Sequence, residues 1–171
     1  YVVVHAALAL IIGVHGTSGQ QVATDNQSLN EYEISALVIH PIFERLFVSF
    51  EHPKGSENTL GARLGRDFMV ASLRNPEKPF PIAYKNEGKR NEDWIGWRQK
   101  VLSPMQGKVT DVYKNKETNK PGEFGDPPAS SITIKRKDGV HVVLAHVREI
   151  KVREGDDVKP GDFLARVGNN G

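Results

Sequence analysis

A mostly-β domain is expected, an antiparallel sandwich or barrel-like core carrying long irregular excursions. Three observations lead there. Short runs of β-branched and aromatic residues recur along the chain and are closed by proline or glycine, as strands are. The segments SITIKRKDG and VHVVLAHV (131–147) run as two alternating strands joined at an Asp138-Gly139 hairpin signal. No stretch sustains a helical period.

The bulk numbers bound the function. A length of 171 residues fits one domain with an appendage, and 38% hydrophobic with 26% charged residues suits a folded globular chain. The net charge is only +2 and lysines alternate with carboxylates, so no nucleic-acid footprint is present. Cysteine is absent, which excludes disulfides, thiolate ligands and cysteine nucleophiles. A metal site would have to use His, Asp, Glu and water. Because the chain opens on Tyr1 and stops at GNNG, a trimmed or fragmentary polypeptide is expected.

Taken in order, Tyr1–Val14 is an apolar run too short to span a bilayer as a helix, which needs about 20 residues. It suits either the apolar part of an export signal or a core segment. Gly16–Asn30 is polar and reads as a linker, so residues 1–30 are set apart from a β domain over 31–171. N-terminal strands are expected within 31–74, at Ile34–His40, Arg45–Glu51 and Arg66–Leu73. Asn75–Lys100, with Trp94 and Trp97, reads as a long excursion. The core is placed at 101–171. There a Pro-Gly corner leads into a strand with Val109, Asp111 and Tyr113 on one face, and Lys114–Ala129 is a second polar excursion. Ile132 and Ile134 share a face in the next strand, as do Val140, Val142, Leu144 and His146 after the hairpin. Short strands at Ile150–Arg153 and Phe163–Val167 flank the GDDVKPGD turn, whose glycines serve tight turns rather than chemistry.

The pieces SPMQGKV (103–109), SITIKRKDG (131–139), VLAHV (143–147), VREGDDVKPGDFLARVG (152–168) and GNNG (168–171) stand in series. In that order they resemble the M23 (LytM, lysostaphin-like) zinc metallopeptidases. The resemblance implies a core of the duplicated hybrid motif type, Zn2+ as cofactor, peptidoglycan as substrate, and an exported protein of the periplasm, cell envelope or outside. It implies His146 as the active-site histidine that handles protons or steadies a tetrahedral intermediate. ARLGRDF (62–68) looks like the segment that carries a zinc-binding aspartate, here Asp67. A carboxylate, two imidazoles and water make a tetrahedral zinc that acidifies the water.

The departures are specific. The family's first zinc histidine commonly lies four residues before the aspartate, where this chain has Arg63, a cation that would repel zinc. His52 is the remaining upstream histidine within loop reach and is the second metal candidate. The family's His-x-His should follow GNNG. This polypeptide alone is therefore expected to be inactive, with a non-catalytic M23-like cell-wall scaffold or activator as the alternative.

Each residue also has a plain reading. His146 could be a half-buried, hydrogen-bonded strand histidine. Asp67 could be a turn or surface carboxylate, His52 a loop residue, and Trp94 and Trp97 satellite packing. Biotinyl or lipoyl carriers share the turn phrases but need an acylated lysine at a hairpin tip. Glucose-type phosphotransferase IIA domains need a His-x-His pair, whereas His141 and His146 are five apart.

Overall fold

The computed structural model of the chain describes residues 6–12, 38–51, 65–73 and 80–171. Among the described residues ten strands run in order: β1 (Ala6–Ile12), β2 (Phe47–Glu51), β3 (Gly65–Val70), β4 (Lys100–Leu102), β5 (Gly107–Tyr113), β6 (Ser131–Lys135), β7 (Val140–Ala145), β8 (Val147–Arg148), β9 (Asp157–Val158) and β10 (Phe163–Val167). No α-helix occurs among the described residues, and one 3-10 turn spans Asn91–Asp93. The fold is mostly β, as expected. A seven-stranded sheet has the order β2-β3-β1-β7-β6-β5-β9, and a three-stranded sheet the order β4-β10-β8.

The two sheets enclose one core. Ile132, Ile134, Val142, Leu144, Val109 and Val158 come from the large sheet, and Val101, Val147, Leu164 and Val167 from the small one. Full burial of an Ile, Leu or Val side chain stabilises by about 1.5–3 kcal/mol, so this cluster is the main source of cohesion.

The last third of the chain closes on itself through two turns of one design. In Arg153–Asp156 and Lys159–Asp162 the third residue is a glycine at positive φ, +92° at Gly155 and +84° at Gly161. The fourth is an aspartate whose carboxylate accepts the N–H of the first, at 3.0 Å for Asp156 and 2.7 Å for Asp162. Only glycine adopts that φ without cost. The turns are tied to the Pro-Gly corner, since Gly161 donates to the Ser103 carbonyl at 2.9 Å and Gly155 to that of Val109 at 2.8 Å.

Four expectations change. Residues 34–37 lie outside the described residues, and 38–40 form no strand: the His40 N–H donates to the Pro104 carbonyl at 2.8 Å, just before Pro41. Val109, Asp111 and Tyr113 do not share a face, because a bulge between Val109 and Asp111 inverts the alternation and turns Val112 towards the core. Ile150–Arg153 forms no strand and pairs through the Lys151 N–H to the Leu164 carbonyl before entering the Gly155 turn. His146 does not continue the face of Val142 and Leu144, because β7 ends at Ala145.

Ala6–Ile12, part of the first apolar run, pairs with β3 on one side and β7 on the other. The Asn75–Lys100 excursion is anchored where it is described. Ser72 bridges Ile82, Tyr84 bridges Trp94, and Trp94 packs against the core with its indole N–H donating to the Gly88 carbonyl at 2.9 Å. Inside it, Asp93 accepts from the Asn86 amide at 2.9 Å and the Arg90 N–H at 3.1 Å, and these bonds hold its carboxyl below the ordinary range.

The hairpin between β6 and β7 carries a pH prediction. Arg136 Nε donates to both Asp138 oxygens, at 2.8 and 2.9 Å, and this bond lowers the Asp138 carboxyl from 3.8 to about 2. A depressed carboxylate stabilises the fold fully above its unfolded value and loses that contribution as pH falls through its folded value. A carbon-detected NMR titration is expected to place Asp138 near 2, and Arg136→Ala to return it towards 3.8.

Candidate active site

His146 stands where the chain leaves the large sheet at the end of β7 and enters the small sheet at β8. It makes that corner with φ of +55°, a conformation that a residue with a Cβ adopts at a cost. The corner is held from three sides. Gly168 donates its N–H to the His146 carbonyl at 2.8 Å, Val147 donates to the Ser130 carbonyl at 3.3 Å, and the ring Nδ1 lies 2.8 Å from the carbonyl oxygen of Asn170. A carbonyl can only accept, so Nδ1 carries the hydrogen and, in the neutral ring, Nε2 is the basic nitrogen.

The GNNG tail that supplies this acceptor is fixed by its own side chains. Asn170 is 3% exposed. Its Oδ1 accepts the Ser130 N–H at 2.7 Å and its Nδ2 donates to the Val147 carbonyl at 3.0 Å. Asn169 donates to Asn91 Oδ1 at 2.9 Å and to the Asn119 carbonyl at 3.1 Å, while Asn119 returns its N–H to the Asn169 carbonyl at 2.8 Å. Gly168 has no room for a side chain, since a Cβ there would lie 2.9 Å from Asn170 Nδ2 and 3.0 Å from the His146 carbonyl oxygen.

Asn170→Ala would leave the Ser130 N–H and the Val147 carbonyl buried without partners. It is expected to cost about 2–4 kcal/mol, measured by urea unfolding. Asn170→Asp, which keeps the acceptor and loses the donor, is expected to fall between.

Asp67 lies on β3 and is 9% exposed. The strand registers place it relative to His146. Leu8 of β1 faces Arg66 of β3 on one side and Leu144 of β7 on the other. With β3 and β7 both antiparallel to β1, Asp67 stands level with Ala145, one residue before His146. Two strand spacings put those backbones roughly 9.5 Å apart. Phe68 and Val70 belong to the core, so Asp67 takes the opposite face of β3.

His52 and Arg63 lie outside the described residues. Among the described residues no three His, Asp or Glu side chains gather closely enough to hold a metal ion. Asp67 and His146 alone do not make a tetrahedral zinc site. His141 sits within β7, paired with Ile11 and Lys135, apart from the corner. Trp97 stacks under the Arg148 guanidinium at 4.6 Å and Trp94 on Tyr84 at 5.1 Å, so both tryptophans serve as packing.

The asparagines are the site residues that residue patterns did not single out. Their one sequence signal is the GNNG phrase itself, with Asn91 and Asn119 isolated in the two polar excursions.

The described residues thus form a two-sheet antiparallel fold with a histidine held at the sheet-to-sheet corner. The family description that matches is peptidase family M23, over residues 95–171, so that segment of the chain is similar to the M23 peptidases. The matched residues run from Ile95, before the Pro-Gly corner, through His146 to the GNNG tail. No curated protein and no solved structure matches the chain.

Proposed function

We propose that this is the β domain of a zinc-dependent endopeptidase that hydrolyses peptide cross-links of peptidoglycan in an exported protein. The observation that carries the reading is the Nδ1–Asn170 hydrogen bond, which leaves Nε2 of His146 as the proton-handling nitrogen. The M23 match supports the peptidase class. In this reading Asp67 and His52 would contribute ligands to a zinc ion, which would supply an acidified water. His146 takes up or delivers a proton at the scissile amide.

In this reading the 171-residue chain by itself is expected to be inactive, because Arg63 stands where the family commonly carries its first zinc histidine. Purified chain, incubated with Zn2+ and a cross-bridge peptide, is expected to bind less than stoichiometric metal by elemental analysis and to release no product by mass spectrometry. Stoichiometric zinc together with cleavage would contradict this. The same arginine favours a second reading, a non-catalytic M23-like scaffold or activator of cell-wall enzymes. Peptide cleavage by the full-length protein, lost in Asp67→Ala, separates the two.

A further inference from the structure

Beside the histidine corner lies a cleft of about 300 Å³ between the Lys114–Thr118 segment and β8. Asn170 belongs to both places: it lines the cleft, and its carbonyl holds the His146 ring. The uncharged polar groups of the floor are already engaged. Ser130 Oγ accepts the Asn115 N–H at 2.8 Å, and both ends of the Asn170 amide are bonded. What the cleft still offers a ligand is positive charge.

Three cations line it: Lys114, Lys116 and Arg148. Neither lysine has an ion-pair partner among the described residues. Arg148 is braced on the Trp97 ring, and its buried Nε has no hydrogen-bond partner among the described residues. It stands 3.5 Å from Glu149 Oε1, but that carboxylate is also bonded by Arg98 at 2.7 Å and approached by Arg166 at 3.3 Å. One carboxylate thus answers three guanidiniums. With Glu117 as the other acid, the lining carries three cations against two carboxylates, one of which, Glu149, is also shared with Arg98 and Arg166.

We propose that this cleft is a carboxylate subsite, by which the domain takes an acidic peptide and seats its side-chain or terminal carboxylate between Lys114, Lys116 and Arg148. The proposal rests on the peptidase reading and names its substrate class. A cavity of this size is at the small end of ligand pockets and suits one side chain rather than a polymer. The planar guanidinium of Arg148, held on an aromatic face, matches the geometry of a carboxylate.

The test is a calorimetric and amide-NMR titration of the 171-residue chain with N-acetyl-Ala-Glu-amide and its neutral isostere N-acetyl-Ala-Gln-amide. The acidic peptide is expected to bind about tenfold more tightly, the effect of one charge-assisted hydrogen bond. That preference should weaken as salt is raised. Amide shifts are expected at Lys114–Thr118 and Arg148. Lys116→Gln, at an exposed position that leaves the fold intact, and Arg148→Gln, checked by its melting curve, should each reduce the preference. Equal affinity for the two peptides, or a preference unchanged in both variants, would overturn the proposal. So would inorganic phosphate shifting the same amides while the acidic peptide does not. Binding is read without turnover, so the two readings fail separately. A full-length protein that cleaves peptides without acid preference loses the subsite and keeps the peptidase. One that discriminates without cleaving keeps the subsite alone.

Discussion

In the full-length protein, His146→Ala is expected to lower peptide hydrolysis about 10²–10⁴-fold, the ordinary contribution of a positioned acid–base group. The loss should fall on kcat more than on KM, because the ring acts on a proton in flight and not on the bound peptide. The geometry gives a control. The backbone bonds that hold the corner, Gly168 N–H to the His146 carbonyl and Val147 N–H to the Ser130 carbonyl, do not involve the ring. The variant is therefore expected to keep the corner and remain folded, with a melting curve lowered by the loss of the donor to the Asn170 carbonyl, about 1–3 kcal/mol. His146→Asn adds a second check, since it tolerates positive φ but offers no basic nitrogen. It should be as inactive as the alanine variant. Full activity in either variant would remove the proton-handling role.

The second large effect concerns the core that carries the corner. Ile132 is fully buried on β6, with Val112 opposite it on β5 and Leu144 on β7. Ile132→Ala removes methyl groups from close packing and is expected to cost about 2–5 kcal/mol, read by denaturant unfolding. Ile132→Val, which leaves a smaller void, should cost about 0.5–1.5 kcal/mol. Tyr113 on β5 is 42% exposed, and alanine there is expected to cost far less. A full-size loss at Tyr113 with little at Ile132 would mean that the bulge in β5 is misplaced and that the expected one-face pattern of Val109, Asp111 and Tyr113 holds after all.

How far the chain could be read from its residues depended on whether the decisive interaction was local. The β6–β7 hairpin and the two Gly-Asp turns were legible, because Asp138-Gly139, Gly155-Asp156 and Gly161-Asp162 encode their geometry within four or five residues. The apolar pairs Ile132–Ile134 and Val142–Leu144 were legible for the same reason, through strand alternation. That alternation failed at two points where the backbone leaves ideal geometry without a marker residue. The bulge after Val109 involves no glycine, and the corner at His146 uses positive φ in a histidine. The corner takes His146 off the face that strand alternation assigns to it.

The asparagine network was illegible for a different reason. Asn91 and Asn169 meet across 78 residues of sequence, and Asn119 joins them from a separate loop. Polar contacts of that span leave no periodic trace. Asp67 is intermediate. Its strand could be read, but its position level with the end of β7 arises because β1 stands between β3 and β7. No local pattern announces that order.

The GNNG tail sets His146 with its hydrogen on Nδ1. Long-range proton–nitrogen correlation of the histidine-labelled chain, at about pH 8.5, some two units above the ordinary imidazole value, reads that tautomer directly. His146 is expected as the Nδ1–H form in the parent, with a mixed or reversed population in Asn170→Ala. A predominant Nε2–H form in the parent would contradict it.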